Sequence, residues 1–168
     1  MSTTSVINES KTQESMRPWD TKQSQHGRDG NLAKRLAGTY FLWEQVDHDD
    51  QIYFRLVTLM ADGTWVSSHA YQHSRDFGFT IQQGVWEAIG PHAVSARVLD
   101  FNYNPVSGDP TGISKMGFIM QWREDYREVH GNMYGERYRL DQNPLDADEV
   151  SKDNFYNSFT GRRLMHYE

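Results

Sequence analysis

The sequence predicts an all-β protein, an eight-stranded antiparallel up-and-down barrel preceded by a disordered N-terminal tail. Three observations carry this. Apolar and polar residues alternate in repeated runs separated by turn residues. After residue 36 no stretch keeps a helical period. Aromatic residues make up 13% of the chain although its hydrophobic fraction is only 37%, so the chain folds around rings more than around aliphatic side chains.

Residues 1–30 differ from the rest. They are rich in Ser, Thr, Gln and Asn, and their apolar residues are scattered (Val6, Ile7, Met16, Trp19). Such a segment buries too little apolar area to offset the entropy of ordering, and it reads as a flexible tail. The folded body is then 31–168. Its first element is a short helical turn over Asn31–Leu36. Strands follow over 38–46, closed by His48-Asp49-Asp50, over 52–60, and over 64–71 after the hairpin signal Asp62-Gly63. A polar loop over 72–78 leads to a strand over 79–89, in which Gly84 suggests a bulge. Gly90-Pro91-His92 turns the chain into a long strand over 93–103. A loop with two Pro and two Gly leads to strands 113–123 and 128–140, a hairpin around Glu124–Arg127. The acidic stretch Asp141, Asp146, Asp148, Glu149 and Asp153 reads as a solvated loop without the glycine and spacing of a calcium-binding hand. A last strand covers 159–165. Short turns force antiparallel neighbours. Closure removes the exposed edges of such a meander, and eight strands enclose either a packed core or one small ligand.

The excess of acid, 23 against 17 basic residues for a net charge of −6, sits entirely in the body and provides no electrostatic footprint for nucleic acid or an anionic membrane. No apolar run approaches the ~20 residues of a spanning helix. The chain has no Cys, which excludes disulfides, thiol catalysis and Cys-bound metal. The start of the chain has no apolar signal segment, so a cytoplasmic protein is expected.

Alternation sorts side chains into faces. On 113–123, Met116, Phe118, Met120 and Trp122 form the interior face. On 93–103, Leu99, Phe101 and Tyr103 share one face and Val98, Asp100 and Asn102 the other. On 64–71, Trp65, Ser67, His69 and Tyr71 share a face that reads as a binding wall, or as a polar exterior with Trp65 filling the barrel floor. On 128–140, His130, Tyr134, Glu136 and Tyr138 either line a polar-tipped cavity or face water while Val129 and Met133 form the core.

Gly38-Thr39-Tyr40 opens the first strand after a short turn, Gly63-Thr64-Trp65 and Gly84-Val85-Trp86 repeat a Gly-x-Trp pattern, and Gly161-Arg162-Arg163 stands near the C-terminus. In these features the body, roughly 35–165, resembles the calycin group of lipocalin-like β-barrels. Tyr40 stands where lipocalins carry Trp, and lipocalin disulfides are absent. The resemblance implies that Arg162 or Arg163 stacks on Tyr40 and closes one barrel end. It implies fold far more than function.

No phosphate-binding loop, nucleophile elbow or zinc-helix motif occurs. Of the seven His, His69 and His73 share a strand face but lie ~13 Å apart along a strand, too far for one ion. General acid–base chemistry needs only a few positioned groups, and His69, Tyr71, Glu87, Asp100, His130, Tyr134 and Glu136 are candidates. Glu136 between Tyr134 and Tyr138, with His69 or His130 as partner, is the preferred catalytic set. The alternative pairs Glu136 with Arg97 or Arg137 outside the barrel. The expected function is a small-molecule-binding barrel, either a cofactor-independent isomerase or cyclase of an apolar or aromatic substrate, or a carrier that sequesters such a molecule. Trp65, Tyr71, Phe101, Met116, Phe118, Met120, Trp122 and Tyr138 would contact the ligand. Neither metal nor cofactor is expected, and a homodimer stays open. A buried carboxylate–His pair in the cavity would favour the enzyme; rings and Met alone would favour the carrier.

Overall fold

The computed structural model describes residues 30–46 and 51–165. The expected N-terminal tail, apart from Gly30, and the His48-Asp49-Asp50 turn lie outside the described residues. Helix α1 (Gly30–Leu36) precedes nine strands: β1 (Gly38–Val46), β2 (Ile52–Leu59), β3 (Thr64–His69), β4 (Gly78–Phe79), β5 (Gln82–Gly90), β6 (Ala93–Tyr103), β7 (Pro110–Trp122), β8 (Glu128–Tyr138) and β9 (Asp153–Arg163).

Each long strand pairs antiparallel with its chain neighbours, and β9 returns to pair with β1. The β6–β7 pairing joins the two halves of the meander, so eight strands close into a barrel. The ninth, β4, is two residues long and continues along β6 beyond the start of β5. The strand expected over 79–89 is therefore broken at Thr80-Ile81. The bulge expected at Gly84 lies instead between Ala88 and Gly90. A Cβ on Gly84 would fall 1.9 Å from the Arg97 carbonyl oxygen, so glycine there serves the close approach of β6. The last strand begins at Asp153, six residues before the sequence predicts.

Residues of one parity point inward along each strand, and the barrel has two unlike halves. Around the start of β1 the interior is packed solid. Tyr40, Leu42, Val57, Leu59, Trp65, Met120 and Phe118 are all fully buried there. The rings of Trp65 and Phe118 lie 4.7 Å apart. On β8 the inward residues are Val129, Gly131, Met133, Gly135 and Arg137. The two glycines make room for Phe159 and Phe155 on β9: a Cβ on Gly131 would fall 2.6 Å from the Phe159 ring, and one on Gly135 2.0 Å from that of Phe155.

Helix α1 covers the filled end. Leu36 is fully buried, and Leu32 and Ala33 pack on the core. The Tyr40 hydroxyl donates to the Leu36 carbonyl at 2.7 Å. Arg163 donates to the carbonyls of Arg35, at 2.9 Å, and of Ala37. Its guanidinium carbon stands 5.9 Å from the Tyr40 ring centroid, so the cation over the first-strand ring comes from Arg163. Burial pushes the Tyr40 hydroxyl up to about 12, against the lowering effect of Arg163.

Candidate functional site

Toward the other end of the barrel, away from α1, the interior is hollow. A cavity of about 480 Å³, the size of a site for one small organic molecule, opens there. Its wall is built where strand alternation continues inward from the packed half but the residues change from apolar to polar. Glu44 follows Tyr40 and Leu42 on the inward face of β1; Arg55 precedes Val57 and Leu59 on that of β2. His69, Gln82 and Asp100 occupy the same level on β3, β5 and β6, and Asn157 completes the ring on β9. Met116 and Met133 form the apolar part of the lining.

The polar side chains form one connected network. Arg55 binds both oxygens of Glu44, through Nε to Oε1 and through Nη2 to Oε2 at 3.3 Å. Its Nη1 donates to Gln82 Oε1, which also accepts the Ser67 hydroxyl at 2.9 Å. Gln82 Nε2 donates to Asp100 Oδ2 at 2.8 Å, and Asn102 Nδ2 donates to Asp100 Oδ1 at 3.0 Å. Asn102 in turn bonds Ser114 on β7. Two buried charges thus neutralise each other, and their remaining hydrogen-bonding positions are largely occupied, which keeps such a pair inside a barrel.

The two carboxyl groups on this wall meet different fates. Burial raises the pKa of Glu44, but the facing Arg55 guanidinium and hydrogen bonds from His69 and Arg55 outweigh it, and the group falls to about 2. Burial also raises Asp100, and there it wins over the hydrogen bonds from Gln82 and Ser114 and the lowering effect of the Arg55 and Arg137 charges. Glu44 is therefore firmly ionised while Asp100 is driven toward its protonated form.

His69 stands beside Glu44, its Nε2 3.6 Å from Oε2. Its Nδ1 accepts the backbone N–H of Tyr71 at 3.1 Å, so the neutral ring carries its hydrogen on Nε2, toward the carboxylate. The mouth is aromatic. Tyr53 and Tyr71 meet edge to face at 4.7 Å, and Phe77 and Phe79 lie 5.7 Å apart. The Arg137 guanidinium stands over the rings of Phe77 and Phe155, at 5.1 and 4.6 Å. Among the described residues, two buried polar atoms of cavity-lining side chains have no hydrogen-bond partner: Asn157 Oδ1 and Arg137 Nε.

Of the residues predicted from sequence, the structure brings His69, Tyr71 and Met116 to the cavity, and Asp100 from the wider set of candidates. Phe118 lies just below, its ring 5.2 Å from the Arg55 guanidinium carbon. Trp65, Met120 and Trp122 belong to the packed half. Phe101 points outward and is 59% exposed. The preferred set on β8 sits outside the barrel, because Met133 and Arg137 take the inward face. His130 is exposed and Tyr134 half-buried on the outer surface. Glu136 and Tyr138 are buried there under the chain that follows β8. Glu136 accepts from Tyr138 at 2.6 Å and pairs with Lys115 at 3.2 Å, and Lys115 also donates to the Pro144 carbonyl at 2.9 Å. Sequence reasoning missed Glu44, Arg55, Gln82, Arg137 and Asn157. For the first two a signal existed: each is a charged residue sharing strand parity with an apolar inward face.

Among the described residues, no three His, Asp or Glu side chains gather as a metal site. The chain matches no family model, no curated protein and no solved structure.

Proposed function

We propose that this chain is a calycin-like barrel that binds one small aromatic or apolar molecule in its open half and isomerises or cyclises it without a cofactor. The observation that carries the reading is the pair Glu44 and Asp100: two carboxyl groups on one cavity wall whose environments push their proton affinities in opposite directions. That divergence is what acid–base chemistry at a single pH requires. Asp100 supplies a proton or a hydrogen bond to an oxygen of the bound molecule. Glu44, with His69 beside it, stays anionic and stabilises positive charge that develops on the molecule's carbon framework. In an isomerisation or ring closure the proton that Asp100 delivers at one atom is balanced by the one its carboxylate then takes back from another, so no oxidant or co-reactant is needed. The Glu44–His69 contact is the carboxylate–His pair that favours an enzyme over a carrier.

A carrier is the second reading, favoured by the aromatic mouth of Tyr53, Tyr71, Phe77 and Phe79. Native mass spectrometry of the purified protein after exposure to a cell extract tests both. The expected result is a retained small molecule, lost when Met133→Trp fills the cavity. Chromatography of the released compound then separates the readings, since an enzyme returns an isomer that Asp100→Asn forms more slowly and a carrier returns its ligand unchanged. A protein that retains nothing, or a Met133→Trp variant that retains the same molecule, overturns the cavity as the binding site.

A further inference from the structure

The two unpartnered polar atoms on the wall define what the ligand must present. Asn157 is 7% exposed, and its Nδ2 faces Glu44 Oε2 at 3.5 Å. A carboxylate only accepts, so the amide nitrogen must face it, and Oδ1 is left as an acceptor without a donor. A buried acceptor left in this state costs free energy that a ligand donor restores. The donor is neutral, since Glu44 is already paired and a second cation would meet Arg55. A hydroxyl fits.

The complementary atom lies nearer the mouth. Asn157 pairs in register with Met133, and Arg137 stands four residues further along β8, ~13 Å of strand. Arg137 Nε is a buried donor without an acceptor. The guanidinium charge is matched by Asp153 at 3.0 Å, and Asp76 lines the same mouth. These two carboxylates oppose an anionic ligand group, so the acceptor that suits Nε is a neutral carbonyl oxygen. Between the two ends lie Met116, Met133 and the ring of Phe155, with Phe77 against the Arg137 guanidinium at the outer end, surfaces suited to a flat ring system.

We infer that the cavity selects a hydroxyaryl ketone or its close chemical kin: a planar ring system with a hydroxyl at its buried end, donated to Asn157 Oδ1, and a carbonyl oxygen at its outer end, accepting from Arg137 Nε. This rests on the cavity being a small-molecule site, as proposed above, and names its ligand class. It does not depend on whether the bound molecule is turned over.

Fluorescence titration of the full chain with four naphthalenes tests it. 6-Acetyl-2-naphthol carries both groups. Its methyl ether and 2-acetonaphthone lack the hydroxyl donor, and 2-naphthol lacks the carbonyl. The expected result is that 6-acetyl-2-naphthol binds about tenfold or more tighter than each of the other three, as for a site with a buried group awaiting a partner. Asn157→Leu should abolish the preference over the ether and 2-acetonaphthone, and Arg137→Met only that over 2-naphthol. The wild-type comparison needs no variant, so it stands even where a substitution impairs folding. If all four bind alike, the ligand class is wrong while the ring-binding cavity survives. If none binds although the protein retains a molecule from extract, the class is wrong and the binding reading holds. If none binds and nothing is retained, the binding reading itself fails.

Discussion

The Glu44 carboxylate and the Arg55 guanidinium, on neighbouring strands β1 and β2, form an ion pair sealed inside the barrel, with the two residues 1% and 3% exposed. Both floor the cavity, and Arg55 also ties Glu44 to Gln82 and Asp100.

Removing one partner of such a pair leaves the other charged and unmatched in a poorly solvated place. Glu44→Gln and Arg55→Met should each cost about 3–5 kcal/mol in urea or guanidinium unfolding. The double variant Glu44→Leu/Arg55→Met should cost less than either single change, because no orphan charge remains. Costs that simply add would show that the two residues stabilise the barrel independently.

The same pair sets acid stability. Glu44 has its folded-state pKa lowered from 4.5 to about 2, so it contributes stability that is fully present above about pH 4.5 and is lost as pH falls toward 2. The contribution is of the order of 3 kcal/mol. Asp100 acts with the opposite sign: its raised folded pKa means that burial costs stability above its ordinary carboxylate range and costs nothing below it. Unfolding free energies measured between pH 5 and 2 should therefore fall more steeply for the wild type than for Glu44→Gln. Parallel curves would remove Glu44 as the source.

Strand order and barrel closure were legible because GTYFLWEQV, AVSARVLDFNY and ISKMGFIMQWR announce themselves by alternation alone, and the short turns leave only antiparallel neighbours. The site was less legible, and β8 shows why. Its inward face contains Gly131 and Gly135, so it reads as poor core, whereas its outward face carries Tyr134 and Tyr138 and reads as rich core. The bulk that fills the interior beside those glycines comes from Phe155 and Phe159 on β9, a relation between strands that no single-strand pattern contains. Glu136 adds to the illusion: it is buried as a cavity residue would be, but by the chain crossing Lys115 and Pro144 on the outside.

Gly131 gives that argument a direct test. A Cβ there would sit 2.0 Å from the Ile119 carbonyl oxygen, a backbone atom that cannot swing away. Gly131→Ala should destabilise the barrel by about 3 kcal/mol or more, a clear case of overpacking. Gly90→Ala is the control: the nearest atom to its Cβ would be 3.9 Å away, at Ala93, and its φ is not in the left-handed region. It should change stability by less than about 1 kcal/mol. Thermal melts of the two variants side by side decide the matter, and similar losses would mean that glycine at 131 is not there for space.

Arg163 joins three elements at the filled end: it donates to the carbonyls of Arg35 and Ala37 at the end of α1, and its cation lies over Tyr40 of β1. Arg163→Ala removes two charge-assisted hydrogen bonds and one cation–π contact, and should cost about 2–4 kcal/mol. Arg163→Lys keeps the charge but cannot span both carbonyls and the ring with a planar fork, so it should recover less than half of the loss. The damage should stay at the filled end. Tyr40 meets Trp122 edge to face at 5.4 Å, so near-ultraviolet dichroism should change with Trp122's surroundings, while binding at the hollow end, where Arg163 takes no part, should not. A variant that lost ligand affinity without losing stability would mean that the two halves of the barrel are coupled more tightly than the packing of Phe118 between them implies.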